Sequence, residues 1–205
     1  SADDFRLKAP TADDTVKIKV IVPRDGNRVL RDTQVMELPV KDGYVDISGH
    51  PDLVYVTVVN RYSTGTQTTA IYKYFGLNRG TLASTISHDS HNLFVLGTDE
   101  EDMKLAQRRV LELQGAYVVY AGGKSLAEAR LTIGGIVSDQ PIEVLGQELK
   151  EVRAAMEGLG YENNNVIMSM STLCLPVSPK LKLTDHGLLT VPGQERVPLV
   201  ERYGK

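Results

Sequence analysis

Residues 16–22 alternate, with Val16, Ile18, Val20 and Val22 on one side and Lys17 and Lys19 on the other. A period of two puts every apolar side chain on one face of a strand and scatters them around a helix, so this segment is a half-buried β-strand. Asp25-Gly26 follows, a pair that tolerates positive φ and suits a tight hairpin. The pattern repeats as Val35 to Val40, Asp42-Gly43 and Tyr44 to Ile47, a second hairpin. Leu53 to Val59 is a β-branched run without a helix signal, and Gln67 to Phe75 alternates again.

The period changes in the middle of the chain. Leu93 to Leu96 reads as a short buried strand. Thr98-Asp99-Glu100-Glu101 has capping-box spacing, with Thr98 as the cap. Met103, Ala106, Val110 and Leu113 then form one helical face, which stops at Gly115. Tyr117 to Tyr120 is a strand that Gly122-Gly123 turns into Leu126 to Leu131. Ser138-Asp139 is placed to cap a second helix, with Pro141 in its first turn. The seam Ile142, Leu145, Leu149, Val152, Met156 and Leu159 spans too few heptads for a coiled coil and predicts packing on a sheet. Lys180-Leu181-Lys182 reads as a strand with one solvated face. The expected fold class is therefore α+β: antiparallel or mixed β-sheet hairpins with two substantial helices packed on the sheet. Residues 1–191 are expected to form one domain, followed by a polar, irregular tail at 192–205.

Composition narrows the function classes. A net charge of −3 gives no basic excess for nucleic acid or an anionic membrane. No apolar run approaches the roughly 18 residues of a membrane span, and no secretory leader is recognisable. The single cysteine, Cys174, lies in an apolar run and reads as packing rather than nucleophile; it fits a cytoplasmic location. Ser1-Ala2 in place of Met fits either a chain trimmed from a longer one or loss of an initiator Met.

The segment richest in chemistry is Ser84-Thr85-Ile86-Ser87-His88-Asp89-Ser90-His91-Asn92. His88, Asp89, Ser90, His91 and Asn92 are five successive side chains able to exchange protons or hydrogen bonds. Three readings stand side by side. The five can brace a tight turn. They can touch a ligand or partner site. His88 and His91, at i and i+3, can join Asp89 around a metal, although only His50 and His186 remain as further imidazole donors. Arg61, beside the polar Ser63-Thr64-Gly65-Thr66, is a further candidate for ligand contact. Ser138 and Asp139 are candidates of the same kind, with helix capping as the competing role. Gly76 to Gly80 lacks phosphate-loop spacing, and no Gly-x-Ser-x-Gly element is present.

Several of these segments together resemble the C-terminal domain of bacterial adenine deaminase, of the amidohydrolase superfamily. They are Gly76-Leu77-Asn78-Arg79-Gly80, Ala83-Ser84, His88-Asp89-Ser90-His91-Asn92, Gly97-Thr98-Asp99, Ile133 to Asp139 and Leu173 to Leu188. The likeness runs from about Phe5 to Leu188. Tyr62 stands where the family would place a histidine, and Gly135-Ile136-Val137 replaces a more usual Ala-Gly-Leu-Met.

The resemblance implies a hydrolase of purine metabolism that converts adenine and water to hypoxanthine and ammonia. It also implies a divalent metal (manganese, iron or zinc) held by a catalytic barrel, with no cofactor in this chain. Such a barrel takes about 250 residues, and its His-x-His pair is absent here. The chain is thus expected to be an accessory domain, inactive alone, that packs on a barrel in cis or on a separate chain. His88, Asp89, Ser90, His91, Asn92, Arg61, Ser138 and Asp139 would line or cover the active site, with Asn92 and a neutral His suited to purine nitrogens. A homo-oligomer is compatible with this; nucleic-acid and membrane partners are not expected. The alternatives are a stand-alone purine or small-molecule binding module without catalysis, and a hydrolase with its own metal site at His88, Asp89 and His91.

Overall fold

The computed structural model describes residues 1–24, 27–73, 76–162 and 165–201. The expected Asp25-Gly26 turn, and Tyr74 and Phe75 at the end of an expected strand, lie outside the described residues. β1 (Thr15–Arg24) and β2 (Asn27–Lys41) pair antiparallel, with Val16 opposite Leu38 and Ile18 opposite Met36. Asp42 and Gly43 both take positive φ, 55° and 80°, and turn the chain into β3 (Tyr44–Val45). This is the geometry that favours Asp-Gly in a two-residue hairpin.

β4 (Leu53–Val59) and β5 (Gln67–Lys73) form the next antiparallel pair. β6 (Thr81–Ser84) and β7 (Leu93–Gly97) pair antiparallel across the segment 85–92. α1 (Glu100–Glu112) leads to β8 (Ala116–Ala121) and β9 (Lys124–Arg130), the Gly122-Gly123 hairpin. α2 (Ile142–Gly158) and the short α3 (Val166–Ser171) precede β10 (Lys180–Thr184), β11 (Gly187–Val191) and β12 (Arg196–Val197). One mixed sheet runs in the order β12-β11-β10-β2-β1-β5-β4-β7-β6-β8-β9, with β3 beside β2.

The fold is α+β, with a helical layer on each face of the sheet. Met103, Ala106 and Val110 of α1 join Val16, Ile18, Val20 and Val95 in one core. Val152 and Met156 of α2 join Val56, Leu82, Tyr117 and Ala129 in the other. Both α2 side chains are fully buried, each worth about 1.5–3 kcal/mol of apolar transfer. The α2 seam thus packs on the sheet from Leu145 onward, while Ile142, at the helix start, is 73% exposed.

Several local expectations are corrected. The α1 cap is Asp99, not Thr98: its carboxylate accepts the Asp102 N–H at 2.9 Å. The α2 N-cap position is Pro141, which has no side-chain acceptor for the first turn. Ser138 Oγ accepts the Gln140 N–H and Asp139 accepts the Thr132 hydroxyl, so both side chains brace the loop before the helix. Lys182 is not on a solvated face. It is 1% exposed, on a face shared with Thr172, Cys174 and Arg31. Its Nζ donates to the Thr172 carbonyl at 3.2 Å.

Part of the tail is ordered on the sheet. Beyond β12, the Leu199 carbonyl accepts the Lys19 N–H and the Glu201 N–H donates to the Lys17 carbonyl. This covers the part of the β1 edge around Lys17 to Lys19, to one side of the Ile21–Tyr72 pair with β5. An uncovered edge of this kind would be a template for foreign strands.

Candidate functional site

β6 and β7 project the segment 85–92 from one end of the sheet. The His91 N–H donates to the Ser87 carbonyl at 2.7 Å, and the His88 N–H to the Ser171 carbonyl at 3.1 Å, which ties the turn to α3. Ser90 Oγ accepts the Asn92 N–H, a hydroxyl-braced turn. His91 takes φ +51°, a left-handed conformation that costs a non-glycine residue about 1–2 kcal/mol. Strain of this order is held only where the surroundings over-determine it.

Asn92 is 3% exposed, and both ends of its amide are engaged. Its Oδ1 accepts the Arg61 N–H at 3.1 Å, and its Nδ2 donates to Asp185 Oδ1 at 3.0 Å. Asp185 also accepts the Asn60 amide and the Thr66 hydroxyl, each at 2.8 Å on Oδ2. Its carbonyl accepts the Thr68 hydroxyl at 3.0 Å. One buried carboxylate therefore joins the loop after β4, the loop before β7 and the β10–β11 turn. Burial pushes the Asp185 carboxyl up. The hydrogen bonds from Asn60 and Thr66 and the neighbouring His186 outweigh it and hold the carboxyl below its ordinary range.

Arg61 extends from this node across the surface. Its guanidinium donates to the Gly134 carbonyl at 2.7 Å and to the His91 carbonyl at 3.4 Å, and lies 5.6 Å from the Tyr62 ring centroid. The histidine rings of 88 and 91 stand edge to face, with centroids 5.5 Å apart. Burial, then the neighbouring His88 and Arg61, lower the His91 pKa below its usual 6.5, so its imidazole is neutral at neutral pH. His91 Nδ1 is buried with no partner among the described residues.

Arg61 and His91 face a cleft of about 540 Å³ whose other walls are Val59, Leu93, Gln107, Val110, Gln114 and the Gly134-Gly135 loop. Its volume is in the range of small-molecule sites. Gly115 makes the cleft floor: φ is +134°, and a Cβ there would sit 2.4 Å from Gly135 Cα. Only glycine allows that approach.

Of the residues singled out from sequence, Arg61, His88, His91 and Asn92 converge on this face. Asp89 and Ser90 are exposed at the tip of the turn. Ser138 and Asp139 do not line the cleft; they close the loop that carries Gly134. Asn60, Thr66, Gln107, Gln114 and Asp185 were missed. Asp185 stands in the Thr184-Asp185-His186-Gly187 turn, where its neighbours give no hint of partners 93 and 125 positions away. Among the described residues no group of three or more His, Cys, Asp and Glu side chains is placed to hold a metal. The Asp89 carboxylate is two-thirds exposed and 3.9 Å from His88 Nδ1, so the His88–Asp89–His91 set does not close around an ion. No helix among the described residues is long and apolar enough to cross a membrane.

Fold and site together define a mixed α+β domain with a polar, small-molecule-sized cleft at one end of its sheet. Residues 28–195 match the family of the adenine deaminase C-terminal domain. An adenine deaminase 2 of Oenococcus oeni is 44% identical over 80% of this chain and 29% of its own length. Adenine deaminases of Methylobacterium nodulans and Ruegeria pomeroyi are each 38% identical, over 93% and 98% of this chain and 33% and 34% of theirs. The chain belongs to the adenine deaminase C-terminal domain family, and it spans about a third of the length of these relatives.

Proposed function

We propose that this chain is the accessory domain of an adenine deaminase, in which adenine and water become hypoxanthine and ammonia. The observation that carries the reading is its coverage: nearly all of this chain matches one third of proteins named adenine deaminase. The remaining two thirds of such a protein would be the amidohydrolase barrel, in cis, with the divalent metal and the main acid and base. The donor set here does not fit that metal, so no step of the reaction is assigned to this domain through it.

In this reading the face formed by Arg61, His88 and His91 closes over the barrel mouth. Closure excludes water from competing contacts and presents hydrogen-bond donors to the base. A neutral His91 can accept from or donate to a purine edge, depending on tautomer. Asn92 and Asp185 act behind it as positioning residues, because their polar atoms are spent on holding Arg61 and the loop. Ser138 and Asp139 shape the loop whose Gly134 carbonyl anchors Arg61. A cytoplasmic location belongs to the same reading, supported by the lone buried thiol of Cys174.

The test is ammonia release from adenine, with bound-metal analysis, on this 205-residue chain and on the natural product of its gene. Turnover and metal confined to a longer product, with turnover falling at least ten-fold in its His91→Ala variant, are expected. Metal-dependent turnover in the 205-residue chain itself, or none in either protein, would overturn the reading.

A further inference from the structure

We propose that the cleft beside Arg61 and His91 is a purine-base site belonging to this domain itself, occupied without any help from a barrel. Part of its wall is apolar: Leu93 and Val110 are buried, and Val59 lies beside them. Gly115, Gly134 and Gly135 add backbone to the lining, and at Gly134 the space a side chain would take is open, so a flat ring can lie close there.

No carboxylate and no lysine lines the cleft among the described residues. His91 is held neutral by burial and by its cationic neighbour, so the guanidinium of Arg61 carries the formal charge of the lining. Such a surface disfavours cationic ligands and suits a ligand with acceptor atoms on its edge, a neutral heterocycle among them. Two carboxamides, Gln107 from half-way along α1 and Gln114 just beyond it, reach the cleft. Neither is committed to a side-chain hydrogen bond among the described residues.

A carboxamide offers one donor and one acceptor side by side, the complement of the 6-amino and N7 edge of adenine. A guanidinium offers two donors, the complement of a 6-oxo and N7 edge such as that of hypoxanthine. The lining of the cleft holds both readers, Gln107 and Arg61. It can therefore accept the base before and after deamination, in orientations set by different side chains. The choice of purine rests on the deaminase reading; the capacity of the cleft for a neutral planar ring does not.

The test is equilibrium titration of the 205-residue chain with adenine and with hypoxanthine. Saturable 1:1 binding of both is expected. Gln107→Leu should weaken adenine about ten-fold or more and leave hypoxanthine within a factor of about two, and Arg61→Lys should do the reverse. Thermal unfolding midpoints of both variants establish that the fold is intact; should Arg61→Lys unfold, Gln107→Leu alone decides by the adenine-to-hypoxanthine ratio. No binding of either base at millimolar concentration, or a ratio unchanged in Gln107→Leu, would overturn the inference. Ammonia release by the longer gene product is untouched by that failure, so the two readings fall separately.

Discussion

Asp185 cannot be replaced by its own amide, although the two side chains have the same shape. The reason is a chain of one-way hydrogen bonds. The Arg61 backbone N–H can only donate, so the Asn92 atom facing it must be the oxygen. That leaves Nδ2 of Asn92 pointing at Asp185 Oδ1, while the Asn60 amide and the Thr66 hydroxyl donate to Oδ2. Both oxygens of residue 185 must accept. In Asp185→Asn one of them becomes an NH₂ that meets another donor, and flipping Asn92 only moves the clash to Arg61.

A stranded buried donor costs about 1–3 kcal/mol, and bonds to a carboxylate are at the strong end of the range. Asn92 is buried and Asn60 half-buried, so Asp185→Asn is expected to lose about 2–4 kcal/mol in urea unfolding. Asn92→Asp alone sets two carboxylates face to face and should lose at least as much. The double exchange, Asn92→Asp with Asp185→Asn, restores every donor–acceptor pair: residue 92 accepts from Arg61 and from the new amide, which still accepts from Asn60 and Thr66. It should recover about 2 kcal/mol or more relative to the sum of the singles.

The pH dependence gives a second reading of the same network. Asp185 has a folded pKa below its ordinary 3.8, so its contribution is present above that value and is lost as pH falls through the folded pKa. The stability curves of the parent and of Asp185→Asn should therefore converge toward low pH. Asp185→Asn matching the parent within about 0.5 kcal/mol, or a double exchange no better than the two singles added, would refute the directional argument.

Gly115→Ala should destabilise by about 2–5 kcal/mol, combining left-handed backbone strain with a Cβ 2.5 Å from the Leu131 carbonyl oxygen, where neither neighbour is a movable side chain. An unchanged urea midpoint would contradict the close approach on the cleft floor. Burial lowers the Lys182 pKa from 10.5 to about 8, with Arg31 adding to it, so the unfolded chain binds more protons between those values and stability rises with pH across that window. In Lys182→Met that rise should disappear, and parallel curves for the two proteins over the window would argue against a buried ammonium.

Much of the fold was legible from pattern because its determinants are local. Alternation with the Asp42-Gly43 and Gly122-Gly123 pairs marks the hairpins of β2–β3 and β8–β9, and each pair works through the backbone conformation of its own two residues. The α1 and α2 seams are legible because a helix presents its core face at a fixed spacing. The α1 cap slipped by one residue because Thr98 and Asp99 are both competent, and only the chain path out of β7 selects Asp99. Lys182 was misplaced for a different reason: alternation reveals an exposed face only when the whole face is exposed, and in β10 only Lys180, at the strand end, is exposed. The cleft-facing loop stood out from its composition, since two histidines, an acid, a hydroxyl and an amide occupy its five successive positions 88–92. Its supports did not, because Asn60, Thr66 and Asp185 are ordinary turn residues until the fold unites them.

The two parallel contacts in the sheet have a consequence for motion. Among the described residues the N-terminal hairpin meets β5 at one parallel pair, Ile21 opposite Tyr72, and β10 at one, Lys180 opposite Arg31, with Lys19 and Lys17 bonded to Leu199 and Glu201 alongside. Elsewhere the ladders are antiparallel and longer. Three blocks of strands thus share a single sheet through joints shorter than the longest ladders inside them, and amide exchange should report them as separate opening units rather than as one. Cleft residues Val59, His91 and Leu93 sit in the block from β4 to β9, whereas Asp185 sits in the C-terminal block across a joint. Each excursion of that last hairpin away from the sheet withdraws the carboxylate that fixes Asn92, so the loop at residues 88–92 inherits the opening rate of a hairpin nearly a hundred positions further along the chain.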